Sequence, residues 1–274
     1  MNLKFIVSLV ALVLISVPVT DKKNSLEEQN LKGDVKTLKE CWYDPVVQSG
    51  TITRASETPN QSFISSFDEN GNQIDMKYYS GGNLYFEIKY TYDAMGHLVA
   101  DQKYNERGDL KEENRYTYDG KGNKSEKHMY RYGDLKGKVV YTYDDMGLMI
   151  EESTYGSDDL LQSKSTYKYD DKGNNTEGIL YDSKGNLDTK FTHRYDEDNH
   201  MIEAKSYDEE DQVIDPVYSF TYEFENNDNG NWIKKIMFSN GSQSTYNGLG
   251  HLIEENSDAS PNAVLLVERE IDYY

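Results

Sequence analysis

The chain has 274 residues, a net charge of −20 and a pI near 4.6. This balance argues against binding to nucleic acid or to anionic lipid surfaces, because neutralising phosphates requires clustered Lys and Arg. A mean hydropathy of −0.85 is low enough to suggest disorder, but the 24 tyrosines recur in register and disordered chains are poor in aromatics. The single cysteine, Cys41, excludes an intrachain disulfide and a zinc site built on several cysteines.

Residues 1–20 have the pattern of an export signal. Lys4 precedes an apolar run from Phe5 to Val19, and polar residues follow it. A membrane-spanning helix needs about 20 apolar residues, so this run is short for one. We expect the mature chain to begin near Asp21 and to reside in the periplasm, on the cell surface or outside the cell. A buried N-terminal helix is the alternative, but nothing downstream has the helical periodicity to pack against it.

Residues 21–61 are predicted to form a linker and the N-terminal capping strands of a repeat array. The segment around Trp42 resembles a strand that ends at Pro45, and Val46 to Thr53 forms a second alternating piece. Terminal units of such arrays are commonly atypical. Cys41 is interpreted as a small buried residue rather than a nucleophile.

Residues 62–274 repeat with a period of 25 or 26 residues. The segment from Tyr90 to Asp119 shows one period, because it opens and closes on Tyr-Thr-Tyr-Asp. In most units an aromatic residue is followed four positions later by Gly, which supplies the positive φ of a tight turn. The clearest pairs are Phe67 with Gly71, Tyr92 with Gly96, Tyr118 with Gly122, Tyr143 with Gly147, Tyr169 with Gly173 and Tyr246 with Gly250.

Each period contains a second turn, such as Ser80-Gly81-Gly82-Asn83, so turns fall about every 12 to 13 residues and leave strands of roughly eight. Along the first unit, Phe86, Ile88, Tyr90 and Tyr92 share one face, and charged residues alternate with them. On the following strand, Leu98, Ala100 and Tyr104 share a face and are assigned to the same apolar side.

These patterns predict an all-β fold: an antiparallel meander of β-hairpins, about fifteen strands long, that forms a long curled or spiralling open sheet. Residues 263–274 are predicted as the C-terminal capping strand. We expect the tyrosine face to line the concave side, since a long exposed apolar face would be unfavourable. The structural positions of the repeat are Tyr90, Tyr92, Gly96, Tyr116, Tyr118, Gly122, Tyr141, Tyr143, Gly147, Tyr167, Tyr169, Gly173 and Tyr195.

The motif copies YTYDAMG, YTYDGKG, YTYDDMG and YKYDDKG resemble the YD repeats of the bacterial Rhs and wall-associated protein family. The resemblance covers about Ser62 to Tyr274. It implies a secreted or surface protein with curled β-sheets, which in large members form a shell around a toxin. We expect a short exported member without a toxin domain, because the array is too short for a closed shell and only a closing strand follows Pro261. The resemblance assigns no catalytic residues.

The acidic turns and the histidines are explained by turn chemistry rather than by metal binding. Turns such as Asp68 to Asn72 lack the spacing of a calcium loop, although calcium bridging between neighbouring turns stays open. His97 and His251 occupy the same repeat position, which favours repeat variants over ligands. We expect no cofactor and no metal. The histidines considered are His97, His128, His193, His200 and His251.

No Gly-x-Ser-x-Gly elbow, phosphate loop or His-Glu-x-x-His motif is present, and 49 acidic residues cannot single out a catalytic pair. We therefore predict a non-enzymatic exported module that binds an envelope protein, with membrane contact only through the N-terminal segment. The alternative is a glycan-binding module, or less favourably a glycan-active enzyme, whose tyrosine rows stack on sugar rings. Tyr222 and Trp232 are the candidate ligand contacts, because they lie in the unit where the repeat is irregular. In this unit Phe224 is followed by Gly only at Gly230, which is interpreted as a two-residue insertion in the turn.

Overall fold

A computed structural model describes residues 25–208, 210–239, 245–246, 252–254 and 262–274. The predicted export signal at residues 1–20, the cleavage point near Asp21, Gly250 and His251 lie outside these ranges. Among the described helices, none is both long and apolar enough to cross a membrane.

Within these ranges the chain forms one short helix, α1 (Ser25–Glu28), and twenty strands. The strands are β1 (Val35–Tyr43), β2 (Pro45–Gln48), β3 (Thr51–Arg54), β4 (Gln61–Phe67), β5 (Gln73–Ser80), β6 (Asn83–Tyr92), β7 (Leu98–Asn105), β8 (Leu110–Tyr118), β9 (Lys124–Arg131), β10 (Asp134–Tyr143), β11 (Met149–Gly156), β12 (Leu161–Tyr169), β13 (Asn175–Asp182), β14 (Leu187–Tyr195), β15 (Met201–Tyr207), β16 (Val213–Asn226), β17 (Trp232–Ser239), β18 (Thr245–Tyr246), β19 (Leu252–Glu254) and β20 (Asn262–Tyr273).

The predicted all-β antiparallel meander is confirmed, but its two ends meet. The sheet runs in chain order from β4 to β17, and then through β20 to β1. Strand β1 pairs with β20 on one side and with β4 on the other, so that Trp42 stands opposite both Val267 and Gln61. The result is a closed barrel of sixteen strands rather than an open sheet. Closure pairs the N–H and C=O groups that an open sheet would leave exposed along its two edges.

The repeat tyrosines face the inside of this barrel. On β6, Phe86, Tyr90 and Tyr92 are half-buried, whereas Lys89 and Thr91 on the opposite face are exposed. Residues directly opposite in a ladder share a face, which extends the assignment from strand to strand. The outer wall carries charged pairs, such as Lys77 with Glu87 and Lys168 with Glu177.

The prediction that Ala100 and Tyr104 of β7 lie on the apolar inner face is wrong. Ala100 and Tyr104 pair with Thr91 and Glu87, which places them on the outer wall, and Asp101 pairs with Tyr90 on the inside. The register shifts by one residue between Thr91 and Tyr92, as at a β-bulge, so parity counted across the turn is reversed. In this hairpin, β6 therefore contributes rings to the inside, and β7 contributes Asp101 and Lys103.

The turn after each tyrosine pair is built by its aspartate. Asp119 Oδ1 accepts hydrogen bonds from the backbone N–H of Lys121 at 2.8 Å and of Asn123 at 2.9 Å. The N–H of Gly122, at φ 88°, donates to the Asp119 carbonyl. All of these bonds lie within five consecutive residues, so the motif folds this turn locally.

The two extra residues near Phe224 lie in a strand and not in the turn, which corrects the sequence interpretation. The turn from Asn227 to Asn231 has the standard bonds, because Asn227 Oδ1 accepts from the backbone N–H of Asn229 and of Asn231. Strand β16 instead extends to Asn226. The β16–β17 hairpin is consequently longer than its neighbours and carries Phe224 and Trp232 on the extension.

Two apolar clusters lie on either side of β1. At one end, Leu26 and Leu31 of the N-terminal segment are buried against Val35, Leu38 and Phe67. On the outer wall, the β2–β3 hairpin covers a second cluster, in which Ile52 packs against the buried side chains of Cys41, Tyr43, Ile236 and Leu266. Together these clusters fix β1 in its place between β4 and β20.

Candidate binding site inside the barrel

The structure places all nine predicted repeat tyrosines on the inward face. The turn glycines Gly96, Gly122, Gly147 and Gly173 adopt positive φ values between 82° and 88°. The inward tyrosines are Tyr90, Tyr92, Tyr116, Tyr118, Tyr141, Tyr143, Tyr167, Tyr169 and Tyr195.

The hydroxyl of the second tyrosine of the motif donates a hydrogen bond to the backbone. Tyr118 donates a hydrogen bond to the backbone carbonyl of Leu98 at 2.8 Å, and Tyr169 donates to that of Met149 at 2.7 Å. Both acceptors are the first residues of strands that begin at a register shift, where ladder bonds are disrupted. Tyr222 bonds the Met201 carbonyl in the same way at 2.8 Å, so it is a repeat tyrosine in addition to a candidate ligand contact.

The first tyrosine meets inward polar groups of neighbouring strands. The Tyr116 hydroxyl donates to Asp101 Oδ2, and Asn114 Nδ2 donates to Asp101 Oδ1 at 3.0 Å. Burial raises the pKa of Tyr116, and the negative charge of Asp101 raises it further. Burial and Asp101 also raise the pKa of Tyr90. These phenols therefore stay protonated, and at Tyr90 and Tyr116 the inward face presents neutral hydroxyls beside the carboxylate of Asp101.

A second group of inward side chains surrounds Trp232. This Trp232 cluster consists of Trp232, Tyr222, Lys235, Arg269 and Glu40. The Arg269 guanidinium carbon lies 3.3 Å from the centroid of the Trp232 ring, and its Nε donates to Glu40 Oε2 at 2.9 Å. The other Glu40 oxygen accepts from Trp42 Nε1 at 2.6 Å. Both carboxylate oxygens of Glu40 are thus engaged.

Lys235 stands among rings rather than beside an acid. Its ammonium lies 4.8 Å from the Tyr222 ring centroid and 6.0 Å from those of Phe224 and Trp232. No carboxylate of the described residues forms an ion pair with it. Burial lowers the pKa of Lys235, against the attraction of Glu40, and the positive charge of Arg269 lowers it further. Burial likewise lowers the pKa of Arg269 although Glu40 opposes the shift.

The cluster is assembled by the four strands at which the barrel closes. Phe224 on β16 pairs with Lys235 on β17, and Arg269 on β20 pairs with Glu40 on β1. Buried apolar side chains on the same inward side lower the local dielectric constant and strengthen the electrostatic interactions. They are Met201, Ala204, Phe220, Met237, Leu265 and Val267.

Sequence reasoning found Tyr222 and Trp232 but missed Lys235, Arg269 and Glu40. Glu40 and Arg269 are separated by 229 positions, so no local pattern joins them. One signal was available: Arg269 has the parity of Val267 and Ile271, and alternation in the closing strand therefore points it inward.

Two of the described histidines, His97 and His200, occupy the turn position that Asn fills in other repeats. His97 Nδ1 lies 3.0 Å from Asp93 Oδ2, and His200 Nδ1 lies 3.2 Å from Asp196 Oδ2. In another repeat, the side-chain amide of Asn123 makes the equivalent contact with Asp119 Oδ2. Asp196, Asp198 and His200 could bring three ligand atoms within 4.8 Å, but Asp196 is already engaged in holding its turn. The expected absence of a metal and of a cofactor stays a prediction.

Comparison with known proteins gives a fold likeness. A family model described as "Uncharacterised protein" matches residues 117–250. No curated protein matches the chain. A porin-like protein from Bacteroides uniformis ATCC 8492 is 9% identical, with 88% of this chain and 98% of that chain covered and a TM-score of 0.50. At this identity the likeness shows a shared fold and nothing of function.

Two weaker likenesses accompany it. The TcdB2-TccC3-Cdc42 complex is 16% identical, with 76% of this chain and 11% of that chain covered, at a TM-score of 0.33. A porin-like protein from Bacteroides vulgatus ATCC 8482 is 10% identical, with 88% of this chain and 99% of that chain covered, at a TM-score of 0.28. These two likenesses carry no argument, and the resemblance to the Rhs and wall-associated protein family stays a prediction.

Proposed function

We propose that this protein is an exported, envelope-associated binding protein, not an enzyme, that holds its ligand against the inward face of the barrel. The observation that carries the proposal is the inward face itself. It presents half-buried tyrosines beside Asp101, together with Lys235 and Arg269 amid aromatic rings. Binding sites commonly combine such rings with a few convergent polar groups.

Export is supported by the N-terminal pattern from Lys4 to Val19. The fold shared with a porin-like protein agrees with an envelope setting. The outer wall carries charged pairs such as Lys77 with Glu87, and a Lys or Arg that faces lipid at the midplane costs about 2–4 kcal/mol. We therefore place the barrel wall in water, with any membrane contact through residues 1–20.

A glycan is the ligand class that this site favours over an envelope protein. A ligand that reaches the inward face must enter the barrel, which suits an extended chain better than a folded partner. The tyrosine rings offer apolar faces for sugar stacking. Asp101 accepts hydrogen bonds from Tyr116 and Asn114 and keeps further lone pairs that can accept from a sugar hydroxyl.

Cell fractionation with mass spectrometry of the mature N-terminus tests the location. The expected result is an envelope or secreted protein that begins near Asp21. Recovery from the cytosol with Met1 to Val19 intact would overturn export.

A glycan array probed with the purified protein tests binding. Trp232→Leu, on the inward face, should reduce retention at least tenfold. Tyr104→Ala removes an aromatic side chain from the outer wall, where Tyr104 pairs with Glu87 and lies under Lys89, and it should leave retention unchanged. Thermal melting of both variants verifies that they are folded. The absence of any glycan binding, with recovery of a protein partner bound through the outer wall, would overturn a ligand site inside the barrel.

A further inference from the structure

The Trp232 cluster has more hydrogen-bond donors than acceptors. Lys235 and Arg269 are two cations, and Glu40 is the one carboxylate that the cluster contains. Glu40 uses one oxygen for Trp42 and the other for Arg269 Nε. Among the described residues, the terminal nitrogens of Arg269 and the ammonium of Lys235 have no hydrogen-bond acceptor. The cluster is therefore a positively charged site in a chain whose net charge is −20.

An inward lysine that lies over an aromatic ring is not always without a nearby acid, as Lys103 shows. Its ammonium lies 4.5 Å from the Phe86 ring centroid, but Glu112 lies 3.7 Å from it and supplies an opposite charge. Lys235 has similar ring contacts without the acid. A cation left without a counter-charge at a half-buried position has a desolvation cost that a bound anion would offset.

The geometry narrows the class of anion. Both cations lie within 6.0 Å of the Trp232 ring centroid. Lys235 pairs with Val267, so Arg269, two residues further along β20, is its diagonal neighbour on the same face, within reach of long side chains. The guanidinium plane of Arg269 suits the paired oxygens of a carboxylate. The Tyr222 ring beside Lys235 offers an aromatic surface of the kind on which sugar rings stack.

We infer that the Trp232 cluster binds the carboxylate of an acidic sugar in an oligosaccharide, with the carboxylate between Lys235 and Arg269. This inference rests on the proposed function, because the ligand must first enter the barrel. Glu40 holds Arg269 in place through Nε and leaves the terminal nitrogens of the guanidinium directed to the ligand.

Isothermal titration of the full chain with oligomers of galacturonic acid tests the inference, with the methyl-esterified oligomers as the uncharged control. We expect the esterified form to bind at least tenfold more weakly. Lys235→Met should reduce the affinity for the acidic oligomer at least tenfold. Lys103→Met removes an inward lysine over a ring elsewhere in the barrel and should change the affinity less than twofold.

The outcomes separate the two proposals. Equal affinity for acidic and esterified oligomers, or equal losses in Lys235→Met and Lys103→Met, would overturn the carboxylate site while leaving glycan binding intact. A protein that binds neither oligomer overturns the acidic-sugar site, and the array then decides whether the proposed function stands. Because Lys235→Met removes a charge without removing a packed ring, a folded variant is expected, and its melting curve verifies this.

Discussion

Glu40 on β1 and Arg269 on β20 stand directly opposite each other in the ladder that closes the barrel, and Arg269 Nε donates to Glu40 Oε2 at 2.9 Å. The side chains are 18% and 11% exposed, so the pair is largely removed from water. One residue further along the same ladder, Lys39 and Glu270 form a pair of similar length on the outer wall, with side chains 39% and 74% exposed. The two pairs differ mainly in burial, which makes them a matched test.

Glu40→Ala should destabilise the protein by about 3–5 kcal/mol, because removing one partner of a buried ion pair leaves an uncompensated charge. Here Lys235 adds a second cation to the same surroundings. Glu270→Ala should cost less than about 1 kcal/mol, as exposed pairs do. Urea unfolding of both variants measures the difference. Equal losses would show that burial of the Glu40 pair has no energetic consequence.

Lys235→Met should stabilise the unliganded protein by about 1–2 kcal/mol near neutral pH. The desolvation penalty of a buried ion is several kcal/mol, whereas a cation–π contact returns about 2 kcal/mol, and methionine keeps contacts with the rings. Thermal melting measures the gain. A gain in stability together with a loss of acidic-sugar binding would mark Lys235 as a ligand-binding residue rather than a structural one.

The stability gain of Lys235→Met should shrink as the pH rises toward 10.5, the ordinary lysine pKa. The folded-state pKa is lowered, so between that value and 10.5 the unfolded chain binds more protons. In this window the parent protein gains stability as the pH rises, whereas position 235 of the variant does not titrate. Melting curves across this window measure the trend, and a constant difference between the two proteins would contradict it.

Tyr169→Phe should destabilise the protein by about 1 kcal/mol, since the Met149 carbonyl loses the hydroxyl that bonds it at 2.7 Å. Tyr195→Phe is the matched control. The corresponding carbonyl, that of Asn175, lies 3.3 Å from His193 Nδ1, and no described residue bonds the Tyr195 hydroxyl. Tyr195→Phe should therefore leave the free energy of unfolding nearly unchanged. Comparable losses at the two sites in urea unfolding would refute the assigned use of the hydroxyl.

Acid should weaken the turns. Hydrogen bonds hold the pKa of three turn aspartates below the ordinary 3.8: the backbone N–H of His97 acts on Asp93, that of Asn123 on Asp119, and the side-chain amide of Asn186 on Asp182. A lowered pKa gives stability that is present above the unfolded-state value and is lost as the pH falls through the folded-state value. The loss should therefore begin near pH 4 and continue downward.

Replacing these three aspartates by asparagine should flatten the acid loss, because asparagine keeps the acceptor oxygen, as Asn227 shows, but does not titrate. Asp145→Asn with Asp171→Asn is the control, since these exposed carboxylates accept no hydrogen bond from the described residues. Urea unfolding between pH 2 and 6 compares the slopes. An unchanged slope in the triple variant would show that the turns do not contribute to acid unfolding.

The sequence by itself determined the local structure of the repeat. The turn from Asp119 to Asn123 forms its bonds within five residues, and the alternation of Tyr90 and Tyr92 with charged neighbours is a period of two. Both depend on contacts between residues close in the chain, which is why the antiparallel meander and the inward tyrosines could be predicted. The parity of β7 could not, because one extra residue at the bulge reverses the face on which Asp101 lies.

Only the tertiary structure decided that the sheet closes and that Lys235, Arg269 and Glu40 meet. Closure depends on β1, a strand outside the repeat, finding both free edges of the sheet. Its partner β20 lies 229 positions away at the pair of Glu40 with Arg269. This pairing is selected by edge hydrogen bonds and by the packing of Leu38 and Cys41 on opposite faces of β1 rather than by any local motif. The aromatic half of the candidate site was visible in the sequence, whereas its charged half exists because the barrel closes.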